Sequence, residues 1–335
     1  MPYGILSTIG NTPLVLLRRI FKNLHFDLRA KLEAFNPGGS VKDRPAFNIL
    51  QKAMEQGVVR RGSTVVESSS GNMGIGLAQA CAYFGMRFVC VIDPKTTAQN
   101  INILKAYGAE IDLVSRPDAA TGEFLQARIQ RVRDLLAELP GSFWPDQYSN
   151  MQNAMAHRQT MHEIWSALEG RVDYLFCAAS TCGTLHGCSA YVRENGLKTH
   201  IVAVDAIGSI LFGPKSCKRL IPGHGAAVLP KLYRPDLADR STQVSDLDCV
   251  VGCRRLVREE AILAGGSSGA VVWAVGSARE WIPEGATVVA IFPDRGERYL
   301  DTIYSDEWVR EHFGEISHLW DGTLGEEETC EMATY

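Results

Sequence analysis

The chain has 335 residues, 46% hydrophobic and 21% charged, a globular balance that excludes long-range disorder and provides for a sizeable core. Its 34 Lys and Arg against 38 Asp and Glu leave a formal charge of −4 without basic runs, a poor match to the phosphates of nucleic acid. No window reaches about 18 uninterrupted apolar residues, and the N-terminal basic residues follow the apolar stretch instead of preceding it. The expectation is therefore a soluble, cytoplasmic protein with neither signal peptide nor membrane span.

In chain order, Ser63–Ser69, Arg87–Asp93 and Glu110–Ser115 are short runs rich in β-branched residues and read as buried strands. Between them, Met73–Gly85 and Thr97–Ala109 carry apolar residues at helical spacing. Glu123–Leu139 is an amphipathic helix with Phe124, Ile129, Val132 and Leu136 on one face, and its Arg128, Arg131 and Arg133 read most simply as a solvated face. Strand signals return at Asp173–Ala179, Thr199–Ile207 and Thr287–Asp294, with helical stretches between. Such alternation implies right-handed crossovers and mostly parallel sheets covered by helices. Two blocks, before and after about Gly141–Tyr148, predict two α/β domains with a cleft between them. Gly208–Arg240 is irregular and long enough to be functional. The last fifteen residues, 321–335, are acidic and read as a frayed tail. Nine cysteines, an odd count with no CxxC pair, form neither a disulfide framework nor a zinc site, and no metal is expected.

Four stretches carry chemistry. Asn36–Pro45 (NPGGSVKDRP) puts Lys42 after a Pro-Gly-Gly turn at a helix start, where the positive end of the dipole favours the neutral amine of a Schiff-base lysine. Glu67–Gly74 (ESSSGNMG) lies between a strand and a helix, the ligand crevice of a doubly wound sheet, although a helix cap would use the same residue types. Ser180–Thr184 (STCGT) offers hydroxyls and N–H groups at another helix start, suited to a phosphate. Gly265–Gly269 (GGSSG) is again small and hydroxylic. A GxGxxG fingerprint is absent, which disfavours a dinucleotide.

In this order, from Asn11-Thr-Pro-Leu14 to Asp294-Arg-Gly-Glu-Arg-Tyr-Leu300, these stretches resemble fold-type II pyridoxal-phosphate enzymes of the cysteine synthase/cystathionine β-synthase family, which are tryptophan synthase β-like in fold. The resemblance implies pyridoxal 5′-phosphate as cofactor, carried on Lys42, with Asn72 hydrogen-bonded to O3′. It further implies that Ser180, Thr181, Cys182, Gly183 and Thr184 hold the 5′-phosphate and that Ser267 faces the pyridine nitrogen. A neutral hydroxyl there suits β-elimination. Ser69, Ser70, Gly71 and Met73 would grip the substrate α-carboxylate, and Gln147 would contact the amino acid. The implied organisation is a homodimer of two-domain subunits: a mobile domain over 41–148 and a larger cofactor domain over 1–40 plus 149–320.

The chain departs from sulfide-using members in three places. Ser180 and Cys182 replace two glycines of the phosphate loop, Tyr148 replaces a phenylalanine beside Gln147, and His224 replaces the isoleucine of a Gly-Ile-Gly at Gly223–Gly225. With Tyr299-Leu-Asp-x-x-Tyr-x-x-x-Trp308, these features look like the branch that joins O-phospho-L-serine to L-glutamate through an α-aminoacrylate, in the supply of 2,3-diaminopropionate to siderophores. A dicarboxylate nucleophile needs cations and donors in its pocket. Arg128, Tyr148 and Ser180 are the candidates, with the solvated helix face as the alternative for Arg128. Lys215, Lys218 and Arg219 could meet the donor's phosphate or form an exposed basic loop. The rival within the family is a cysteine synthase using O-acetylserine or O-phosphoserine with sulfide. An inert scaffold is disfavoured by Lys42, Asn72 and Ser267 together.

Overall fold

The computed structural model describes residues 4–120 and 122–321. From residue 322 onward the acidic stretch lies outside the described residues. The chain opens with β1 (Leu14–Leu16) and β2 (Asp27–Leu32), then α1 (Asp43–Glu55). A first alternating block follows: β3 (Thr64–Ser68), α2 (Asn72–Phe84), β4 (Arg87–Ile92), α3 (Ala98–Ala106), β5 (Glu110–Leu113) and α4 (Phe124–Glu138). The second comprises α5 (Met151–Ala167), β6 (Tyr174–Ala178), α6 (Gly183–Glu194), β7 (His200–Ala206), β8 (Arg240–Val244), α7 (Asp246–Glu260), α8 (Gly266–Ser277) and β9 (Thr287–Phe292). Short helices α9 (Asp306–Phe313) and α10 (His318–Asp321) close it.

The strands form two sheets. β3-β4-β5 is wholly parallel; the six-stranded sheet runs β1-β2-β9-β6-β7-β8, parallel except for the β1–β2 pair. Side chains alternate across a strand, and here both faces are covered, so the strands read as continuous apolar runs. Phe176, Val202, Val204, Val288 and Phe292 face α7 and α8, while Leu175, Cys177, Ile201, Val289 and Ile291 join the core under α5 and α6. In the smaller sheet Val65, Phe88, Cys90 and Ile92 pack with α1 and α2, and Val66, Val89 and Val91 meet Val132 and Leu135 of α4. Helix α2 is buried almost all round, from Met73 to Cys81, and stops at Gly85, whose φ of +66° ends it in a left-handed cap.

The expected strands and helices are present, and the α/β class with mostly parallel sheets holds. Three strands carried no sequence signal: β1, β2 and β8. Arg128 corrects the reading of α4 as solvated on its charged side: it is 8% exposed and turned inward, whereas Arg131 pairs with Asp112 and Glu138 nearer the surface.

Candidate active site

Parallel strands aim their C-terminal ends and the following helix N-termini at one edge, where a ligand crevice forms. Here the turns after β3, β6 and β9 and the start of α1 surround an open cavity. Every residue singled out for the cofactor or the amino acid lines it: Lys42, Ser69, Ser70, Gly71, Asn72, Met73, Arg128, Gln147, Tyr148, Ser180, Thr181, Cys182, Gly183, Thr184 and Ser267.

Lys42 is the N-cap of α1. Its neighbours are pinned to the end of β9: Val41 N–H donates to Pro293 O at 2.7 Å, and Ser40 bridges Asp294. Burial lowers the Lys42 pKa, against the opposing pull of Cys177, Asp294 and Cys182. Desolvation and the helix N-terminus both favour the neutral amine.

The Ser69–Met73 turn is tied by its own hydroxyl: Ser69 Oγ accepts from Gly74 N at 2.9 Å, and Ser70 O accepts from Asn100 Nδ2 at 3.1 Å. Beside it, Gln147 donates through Nε2 to Ser68 O at 3.3 Å. Glu67 opens the Glu67–Gly74 stretch, but the sequence alone gives it no role. It is fully buried under the turn, accepting from Trp144 Nε1 at 3.1 Å and Gln147 N at 3.3 Å, and burial pushes its pKa up to about 7.

The Ser180–Thr184 turn opens α6. Asn153 Nδ2 ties it to Gln147 by donating to Gln147 O at 2.7 Å and Thr181 Oγ1 at 3.3 Å. Cys182 stands at φ +65°, in the left-handed region that costs an L-residue about 1–2 kcal/mol and that glycine occupies freely. Ser267, 2% exposed, sits in the first turn of α8.

Asn72 is engaged on both sides of its amide. Nδ2 donates to Asp294 Oδ2 at 2.7 Å, and Oδ1 accepts from the Arg298 guanidinium. Arg128 Nε lies 3.3 Å from Asp93 Oδ2 but is not aligned to donate, and Nε and Nη1 are buried without a hydrogen-bond partner. Burial raises the Tyr148 hydroxyl pKa, with Arg128 opposing. Both residues, with Ser180, also line a second cavity that includes Arg219 and His224. Lys215 and Lys218 are exposed and line neither cavity. Arg219 instead donates to His224 O at 2.9 Å.

The residues fit a pyridoxal phosphate: a lysine whose pKa burial lowers, an amide, a buried hydroxyl and a Ser/Thr turn at a helix start face one cavity. The family of pyridoxal-phosphate dependent enzymes matches residues 5–294. This chain belongs to that family. As a pyridoxal-phosphate dependent enzyme it shares 44% identity over 307 residues with N-(2-amino-2-carboxyethyl)-L-glutamate synthase of Ralstonia nicotianae, covering 91% of this chain and 90% of that protein. The synthase of the same name from Cupriavidus metallidurans is 44% identical over 310 residues, 91% of each chain. Among solved structures, cysteine synthase from Entamoeba histolytica superposes with a TM-score of 0.83 at 36% identity, covering 90% of each chain. O-ureido-L-serine synthase does so with 0.82 at 34%, covering 90% of this chain and 97% of that one. The fold-type II assignment and the cofactor therefore stand.

Proposed function

We propose that this enzyme joins O-phospho-L-serine to L-glutamate, giving N-(2-amino-2-carboxyethyl)-L-glutamate and phosphate. The observation that carries the reading is Arg128. Asp93 balances its charge at 3.3 Å, but Nε and Nη1 lack hydrogen-bond partners; buried N–H groups left so are costly unless a ligand supplies acceptors, and a carboxylate does so with charge assistance. Sulfide could not. The two synthases at 44% identity support the same reading.

Lys42 would hold pyridoxal phosphate, Ser180–Thr184 its phosphate, Asn72 its phenolic oxygen and Ser267 its ring nitrogen. Bound, the cofactor supplies the electron sink that acidifies the amino acid's Cα–H. The neutral Lys42 amine takes that proton and returns it after the exchange at Cβ. There the bond to the phosphate oxygen breaks and a bond to the glutamate nitrogen forms. The Ser69–Met73 turn and Gln147 orient the donor's α-carboxylate. Arg128, Tyr148 and Ser180 receive the glutamate, whose amine must arrive unprotonated.

One lost hydrogen bond to a charged group is worth about 1.5–3 kcal/mol, so Arg128→Met should lower kcat/KM for glutamate by roughly ten- to a hundredfold. Tyr148→Phe and Ser180→Gly should act in the same direction, all three sparing KM for O-phosphoserine. Mass-identified products from O-phosphoserine with glutamate or sulfide test the reading. Rapid cysteine formation with glutamate left unused would make the enzyme a cysteine synthase.

We further propose a cytoplasmic homodimer that feeds 2,3-diaminopropionate and siderophore synthesis. In it, residues 41–148 close over the bound amino acid against 1–40 plus 149–320, excluding water. Light scattering at twice the monomer mass is expected, and monomer mass across a broad concentration range would refute the dimer.

A further inference from the structure

Asn72 carries an amide whose two ends differ in chemistry: the oxygen only accepts and the nitrogen only donates. Which end faces a ligand is set by what the other groups around it demand. Arg298 has no acceptor, so the atom that faces its guanidinium must be Oδ1, as observed. On the other side Asp294 Oδ2 accepts from Nδ2 at 2.7 Å and from the Tyr299 hydroxyl at 2.7 Å. With Oδ1 turned to Arg298 and one Nδ2–H used on Asp294, the remaining Nδ2–H is the donor Asn72 has left for the cavity it lines.

The two partners are themselves fixed. Arg298 also donates to Gly38 O in the turn before Lys42. Asp294 is 1% exposed; Ser40 bridges it, its backbone carbonyl accepts from Gly265 N at 3.2 Å, and its side chain fills the space a Cβ at Gly265 would need. The residues after β9 thus reach the starts of α1, α2 and α8 at one point.

We propose that Arg298 and Asp294 are positioning residues that lock the Asn72 amide as a hydrogen-bond donor toward the cofactor. The inference rests on the proposed contact of Asn72 with the phenolic oxygen, an acceptor that needs a donor opposite it.

The test uses purified enzyme, stripped of cofactor with hydroxylamine and titrated with pyridoxal phosphate, and the pH titration of the visible absorption band after reloading. Arg298→Gln offers an amide that tolerates either orientation of Asn72; it should weaken cofactor binding about tenfold, the scale of one lost hydrogen bond, and shift the pH at which the band titrates. Arg298→Lys keeps a donor-only cation and should stay within about threefold of wild type with an unshifted band. A purely structural role for Arg298 would lower thermal stability in both variants and leave the band alone, which would overturn the proposal. Asn72→Ala separates the two readings. If it weakens binding and shifts the band while Arg298→Gln does neither, the lock fails and the Asn72 contact stands. If Asn72→Ala changes nothing, the contact itself fails and the lock with it. Should Arg298→Gln not fold, Asp294→Ala carries the test, with the same loss expected and rescue by Asp294→Asn, which can still present an oxygen to Nδ2. No rescue, or no loss, overturns the proposal.

Discussion

Replacing Lys42 by alanine is expected to lower product formation by at least about 10⁴-fold, the upper end of what a positioned acid–base group contributes, while leaving the fold intact. Among the described residues it is the only lysine that lines the cavity, and its helix N-cap position and burial both shift it toward the neutral amine. Only a neutral amine can take the Cα proton, and the same nitrogen must hand it back, so both halves of the exchange lose their proton carrier at once. Alanine removes no packing on which the sheets depend, because Lys42 is half-buried at the cavity wall. Lys42→Arg should be as inactive as Lys42→Ala, since a guanidinium stays protonated. Borohydride reduction of the loaded wild-type enzyme followed by peptide mapping checks the attachment independently. Label on any other lysine, or a Lys42→Ala variant within about tenfold of wild type, would remove Lys42 from its role.

The sequence exposes those parts of the molecule whose determinants are local. β3, β4, β6, β7 and β9 are buried on both faces, so each is an apolar run that stands out without knowledge of its partner. The turns that carry Lys42, Asn72, Thr184 and Ser267 are contiguous motifs, and the cavity brings them together. What stayed hidden depends on distant partners. β2 reads Asp-Leu-Arg-Ala-Lys-Leu, and Lys31 looks like a surface residue until Glu163, on α5, is placed against it. β8 is a polar edge strand, Arg-Ser-Thr-Gln-Val, half open to water. The helical period of α4 cannot tell Arg128 from Arg131, because both are charged on one helix; only the packing of α4 over Val66, Val89 and Val91 turns one inward. Glu67 and Asp294 likewise act through residues about 80 and 220 positions away, a separation that periodicity does not report.

A second large effect is expected two residues beyond Lys42. Arg44→Met should destabilise the enzyme by about 3–5 kcal/mol, the cost of removing one partner from a buried ionic group. Arg44 donates through Nε and Nη2 to both oxygens of Glu33, at 2.6 and 2.8 Å, and through Nη1 and Nη2 to both oxygens of Glu163, at 2.8 and 2.7 Å. Lys31 Nζ completes the group, donating to Glu163 Oε2 and Thr12 O, both at 2.7 Å. Glu33 is fully buried, and Asn36 Nδ2 and Thr12 Oγ1 satisfy its remaining lone pairs at 2.8 Å. Two cations face two carboxylates, so methionine leaves one net negative charge out of water, where desolvation is not repaid. Arg44→Lys keeps the charge but not the two bidentate forks, and its loss should be smaller. Acid sensitivity gives an independent readout. Desolvation opposes the Glu163 carboxylate, but Arg44 and Lys31 outweigh it and hold the pKa down to about 2 from an ordinary 4.5. As pH falls, the unfolded chain takes up this proton first, so the stability Glu163 contributes is whole above about pH 4.5 and lost as pH falls toward 2. In Arg44→Met the Glu163 pKa rises, and that part of the acid slope should flatten. Urea unfolding of the two variants at pH 7 and through the acid range measures both effects. A midpoint for Arg44→Met within about 1 kcal/mol of wild type, the ordinary cost of a surface change, would mean that this group does not hold the start of α1 against β2 and α5.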